Sequence, residues 1–143
     1  MKAIHNTNSA IRIESFDMNR LGANTMANMN SDNVMLVAGS LLGVWFSDQI
    51  LDCYSFAHQY EVNDVDFMVV DDLQELTGII YGRIQDIESI SEYELFRNET
   101  KLMDIMVQVR ESLIEDGYTG IYVNDDEEFG GTSLIVIDLD CIN

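Results

Sequence analysis

The sequence predicts a single α+β domain. A chain of 143 residues, 47% of them hydrophobic, is long enough to build one core. Residues 98–116 repeat apolar side chains at three- and four-residue spacing, the mark of a helix, and short runs of β-branched and aromatic residues stand on both sides of that stretch. The chain has no proline, no low-complexity linker and no repeat to mark an internal boundary, so residues 1–143 read as one domain.

Taken in order, residues 2–5 are a short strand, and the polar cluster Asn6, Thr7, Asn8 and Ser9 turns the chain after it. Residues 18–32 hold four asparagines with Gly22 and Ser31, the composition of a surface loop. Residues 34–42 are apolar but too few for periodicity to separate helix from strand, and both stay open. Val44, Trp45 and Phe46 follow Gly43 as a strand, and Ser47-Asp48 reads as the N-cap of a helix over residues 49–60. Residues 65–70 form a strand, and 78–81 another short one. From Asn98 or Thr100 onward, Leu102, Ile105, Met106, Val109 and Leu113 line one face of a helix that Gly117 stops. Residues 120–123 and 134–137 close the chain as strands around an acidic, glycine-bearing loop, 124–131.

Charge narrows the function. Acidic residues number 26 against 7 basic ones, a formal charge of -19. Binding a nucleic-acid backbone requires clustered Lys and Arg, so direct nucleic-acid binding is not expected. The same field speeds encounter with a basic protein surface, and it also serves plain solubility. Cys53 and Cys141 are too few and too far apart for a disulfide scaffold or a thiolate metal site, and Cys53 with His58 does not make a metal spacing; no metal is expected. The start of the chain turns polar at once, and the longest apolar run, residues 34–46, is interrupted by Gly39, Ser40 and Gly43, well short of the roughly 20 residues that cross a bilayer. No membrane association and a reducing, cytoplasmic location are expected. No Walker or dinucleotide glycine signature occurs.

Three separated segments carry a further pattern. The first is Ile4-His5-Asn6-Thr7 with Ile13-Glu14-Ser15-Phe16-Asp17 and Gly22-Ala23-Asn24-Thr25; the second is Gly43-Val44-Trp45-Phe46-Ser47-Asp48; the third is Gly117-Tyr118-Thr119-Gly120-Ile121 followed by residues 130–138, which begin Gly130-Gly131-Thr132-Ser133. In order and spacing they resemble the ADP-ribosyltransferase superfamily, in particular the poly(ADP-ribose) polymerase and diphtheria-toxin-like branch and its small relatives carried by phages and mobile elements. Residues 64–99 have no counterpart in that pattern.

The resemblance implies two packed antiparallel β-sheets with flanking helices, NAD as substrate held at their seam, and transfer of ADP-ribose to a protein. It makes His5 the ribose-binding histidine, Asn6 the stand-in for a glycine whose backbone grips the nicotinamide carboxamide, and Thr7 the small hydroxyl. Trp45 takes the place of a stacking tyrosine, Phe46 and Ser47 continue its strand, and Phe56 supplies a second stacking aromatic from the following helix. Ser133 occupies the position of the glutamate that stabilises positive charge on the ribose as nicotinamide departs, and the missing acid is then sought among Asp126, Glu127 and Glu128 of the preceding loop. Each residue has an ordinary alternative: His5 at a strand end, Trp45 and Phe56 in the core, the acids at a solvated hairpin tip.

Two functions follow. One is an NAD-dependent mono-ADP-ribosyltransferase whose protein target has a basic surface, a phage-type effector acting in the host cytosol on a defence or nucleic-acid-binding component. The alternative is a catalytically inactive ADP-ribosyltransferase-like acidic protein that binds as a nucleic-acid mimic or inhibitor.

Overall fold

A computed structural model of the chain describes residues 1–17, 21, 29–126 and 130–142. Among these, six strands and four helices form an α+β domain: β1 (Lys2–Thr7), α1 (Val34–Ser40), β2 (Val44–Ser47), β3 (Phe56–Glu61), β4 (Phe67–Asp72), α2 (Leu73–Ile87), α3 (Glu92–Arg97), α4 (Glu99–Glu115), β5 (Gly120–Asp125) and β6 (Ser133–Val136). A short 3-10 turn, Leu139–Cys141, follows.

The strands make one mixed sheet in the order β3-β1-β2-β6-β5-β4, where the resemblance implied two packed antiparallel sheets. Its seam is narrow. β1 pairs with β3 along its whole length, from Lys2↔Glu61 to Thr7↔Phe56, but meets β2 at Ile4↔Ser47. β4 and β5 run parallel, in register from Phe67↔Gly120 to Asp72↔Asp125. Parallel neighbours need a long crossover, and α2, α3 and α4 are that crossover.

Helices α1 to α4 cover one face. Leu76, Ile80 and Ile84 from α2, Leu95 from α3, and Leu102, Ile105, Met106, Val109 and Leu113 from α4 pack with Val37 and Leu42 onto Val70, Ile121, Val123 and Ile135. The opposite face buries Ala3, Val44, Phe46, Tyr60, Leu134 and Val136 under irregular chain that includes Phe16, Val65 and Leu139. The five apolar residues read as one face of α4 are all buried, and its C-terminus closes with Tyr118 N–H donating to the Leu113 carbonyl at 2.9 Å and Gly117 N–H to that of Ile114 at 2.9 Å. Gly117 has φ +97°, which explains why glycine stops this helix.

Two expected elements are corrected. Residues 49–60 are not a helix: 48–55 is a turn segment, and Phe56 begins β3. Phe56, His58 and Tyr60 alternate with Ala57, Gln59 and Glu61 in register with β1, so the two-residue period of a strand governs there. Residues 78–81 lie inside α2 rather than in a strand, held by apolar residues at 76, 80 and 84 and by the Asp72 side chain, which accepts from Glu75 N–H at 2.8 Å.

Candidate functional site

The seam between β1 and β2 brings the start, middle and end of the chain together. Ser47 is the Cα partner of both Ile4 on β1 and Ser133 on β6. Asn6, at the end of β1, holds the chain beyond β2: its Nδ2 donates to the Gln49 carbonyl at 3.2 Å and its Oδ1 accepts from Leu51 N–H at 3.0 Å. The same chain is tied to the loop before β6. Asp48 Oδ1 accepts from Thr132 N–H at 3.3 Å, Gln49 Nε2 donates to the Gly130 carbonyl at 3.1 Å, and Ser47 Oγ accepts from Gln49 N–H at 3.1 Å. Asp48 and Gln49 were missed as site residues. The signal was the Ser47-Asp48 pair, whose side chains do receive backbone N–H groups, though of a loop and not of a helix.

Burial singles out this end of the sheet. Among the described residues, the buried polar side chains are Ser47 at 7% exposure, Ser133 at 6% and Asp126 at 1%, and all lie here. A carboxylate removed from water is costly unless hydrogen-bonded, and Ser133 Oγ donates to Asp126 Oδ2. The Asp126 backbone is tied to the two glycines before β6: its N–H donates to the Gly131 carbonyl at 3.0 Å and its carbonyl accepts from Gly130 N–H at 2.7 Å. Thus the Ser133 hydroxyl is bound to a carboxylate. Of the loop acids expected there, Asp126 is the described one; Glu127 and Glu128 lie outside the described residues, as do Gly22 to Thr25.

His5 and Trp45 are neighbours but do not share a face. Side chains alternate along β2, so Trp45, Ser47 and, across the register, Ser133 point to the helical side, while Phe46 points away. The indole is half-buried against α1, with Nε1 donating to the Gly39 carbonyl at 3.0 Å. His5 lies with Phe16, Phe46 and Tyr60 at ring-centroid distances of 5.4, 6.0 and 6.4 Å, edge to face. Its Nδ1 is 3.3 Å from the Trp45 carbonyl, an acceptor, so Nδ1 carries the proton of that bond. His5 thus reaches Trp45 through the backbone, from behind the sheet.

Burial lowers the His5 pKa from its ordinary 6.5; the Trp45 carbonyl pulls it back up, and the neighbouring His58 lowers it further. The unfolded chain therefore binds the proton more readily. Stability attributable to neutral His5 is complete above the ordinary value and is lost as pH falls from there through the lower folded value. Urea titrations should show the advantage of the wild type over His5→Gln shrinking between about pH 7.5 and 5.5. A constant difference over that range would contradict it.

The remaining expected residues fall elsewhere. Thr7 is the Cα partner of Phe56, so both lie at the β1–β3 edge. Phe56 is on a strand, 42% exposed, with its ring parallel to His58 at 6.5 Å, and it makes no aromatic pair with Trp45. Two clefts outlined by described residues, one beside Met103, Met106 and Arg110 and the other between α1 and α2, contain none of the site residues. Among the described residues no group of three or more His, Cys, Asp or Glu is arranged to hold a metal ion, and no helix is long and apolar enough to cross a membrane. Comparison with models of known protein families, with curated proteins and with solved structures returns no match for this chain.

Proposed function

We propose that the end of the sheet built by Asn6, Trp45, Ser47, Asp126 and Ser133 splits NAD and transfers its ADP-ribose to a protein. The observation that carries this reading is the buried Asp126 carboxylate bound to the hydroxyl of Ser133, the residue at the glutamate position of the family pattern. NAD supplies a glycosidic bond from ribose to a neutral leaving group, nicotinamide; that bond breaks, and C1′ of the ribose bonds to a nucleophile of the target, which gives up its proton.

Each residue then has a task. Asp126 offers negative charge where the ribose becomes positive, and Ser133 Oγ orients it. Trp45 offers a half-buried aromatic ring on the same face of the sheet as Ser47 and Ser133. Asn6 fixes residues 49–51, and Ser47 fixes the amide of Gln49, so the wall facing the substrate is held by hydrogen bonds from two strands. His5 is a positioning residue: it steadies β2 through the Trp45 carbonyl. Residues 45–51, 124–126 and 130–133 include no Lys or Arg, which supports a role toward the nicotinamide-ribose half of NAD rather than its pyrophosphate. A protein target remains preferred over a nucleic acid because the net charge is -19.

Trp45 is the single tryptophan of the chain and so a built-in reporter. Titration with NAD should change its fluorescence saturably and raise the melting temperature with NAD concentration. No change in either up to millimolar NAD would remove the substrate from the proposal. The second reading, an inactive acidic binding protein, is favoured by serine at residue 133 and by the indole already being engaged by the Gly39 carbonyl. It requires unaltered fluorescence with NAD and retained binding to a basic protein surface.

A further inference from the structure

Between α1 and α2, with Glu92 at the start of α3 also in its lining, runs an open groove of about 800 Å³. Its apolar lining includes Leu36 and Tyr81, exposed at 40% and 37% although each belongs to a helix whose other large apolar residues are mostly covered. Gly78 lies along it in the middle of α2, where glycine weakens a helix. No packing need explains the glycine, since a Cβ added there would meet nothing within 4 Å. Gly78 adds no side chain to the groove's lining. Asp32 and Glu92 stand on the rim, both exposed and neither in an ion pair among the described residues, and no Lys, Arg or His lines the groove.

We propose that this groove docks an amphipathic helix of a partner protein, with Lys or Arg flanking its apolar stripe. The inference goes beyond the transferase reading and does not depend on it. A helix satisfies its own backbone hydrogen bonds; a peptide binding as an added strand would need a sheet edge, and the lining is helix sides apart from the turn at Asp32. Basic flanks match the two rim carboxylates and the net charge of -19. A second copy of this chain is the wrong occupant, because it would bring the same uncompensated negative field to the contact. The volume suits the few side chains that a helix presents at i, i+3, i+4 and i+7.

The test uses the full chain and two synthetic peptides of about 18 residues, long enough to become helical on binding, made of the same Leu and Lys residues. One is patterned as an amphipathic helix and the other is scrambled. Gly78→Leu fills the groove at unchanged charge and, with no contact at its Cβ and better helix propensity, should keep or raise the melting temperature. The patterned peptide should bind the wild type about tenfold or more tighter than the scrambled one, and Gly78→Leu should abolish that preference. The Asp32→Asn, Glu92→Gln pair should weaken binding and flatten its salt dependence. Equal binding of both peptides, or full binding by a folded Gly78→Leu, would show attraction to the acidic surface at large and overturn the proposal. A wild-type dimer that Gly78→Leu makes monomeric would overturn it too, in favour of a second copy.

Discussion

Gly43→Ala is expected to cost about 3 to 5 kcal/mol of stability, a large share of the total for a domain of this size. A Cβ at residue 43 would stand 2.1 Å from the Val136 carbonyl oxygen, 2.7 Å from its carbon and 3.1 Å from Ile137 Cα. These are backbone atoms, so no rotamer change relieves the clash; β2 must move off β6. The register Val44↔Val136 to Ser47↔Ser133 fails with it, and Val44, Phe46, Val136 and Ile137, now 0 to 4% exposed, lose their packing. A melting temperature lower by about 10 °C or more is expected. A variant that melts with the wild type would mean that the close approach of β2 to β6 is wrong. The glycine opening the Gly43-Val44-Trp45-Phe46 motif is thus required by packing, whatever the site does.

On the proposed transferase reading, Asp126→Asn is expected to lower the rate of nicotinamide release by about 10²- to 10³-fold, the usual loss when one charge-stabilising group is removed from a transition state. Asparagine keeps the volume and an oxygen able to accept from Ser133 Oγ, so the fold and the fluorescence response to NAD should persist. Loss in kcat without loss in binding separates an acting carboxylate from one that merely staples the loop. If Asp126 were only a staple, Asp126→Asn would release nicotinamide at the wild-type rate. Asp126→Ala is a different experiment: it strands the Ser133 hydroxyl at a buried position and should destabilise by about 1 to 3 kcal/mol.

What was legible in the sequence follows from which physical signal each segment carries. α4 was readable because Leu102, Ile105, Met106, Val109 and Leu113 repeat over a long stretch and Gly117 supplies an unambiguous stop. α2 and α3 were missed although their caps were present: Asp72 with Glu75 and Ser91 with Glu94, in which each first residue accepts the other's backbone N–H. Gly78 and Gly82 inside α2, and the apolar Ile79, Ile80 and Tyr81 between them, masked the four-residue spacing of Leu76, Ile80 and Ile84. With those helices unread, the crossover that makes β4 and β5 parallel had no basis. β3 was misread because Ser47-Asp48 resembles a cap, while the alternation of Phe56, His58 and Tyr60 was only six residues long.

The site was legible in part. Its three segments do meet, through the Asn6 clamp, the Ser47–Ser133 register and the ties from Asp48 and Gln49 to residues 130–132. Asp126, one of the three loop acids named from the sequence, is buried at this meeting point and bonded to Ser133. The face on which each side chain stands was not legible, because one-residue alternation decides it and short strands leave the parity open. Hence His5 and Trp45, expected around one ligand, lie back to back across the sheet.

Incubation of the wild-type protein with NAD, with and without a basic protein as acceptor, followed by chromatographic separation of the products, bears most directly on the claim that this end of the sheet breaks the nicotinamide bond. Nicotinamide should accumulate with time in the wild type and fall toward the blank in Asp126→Asn. A reaction in which no nicotinamide appears, from a folded protein whose Trp45 emission ignores NAD, would contradict it.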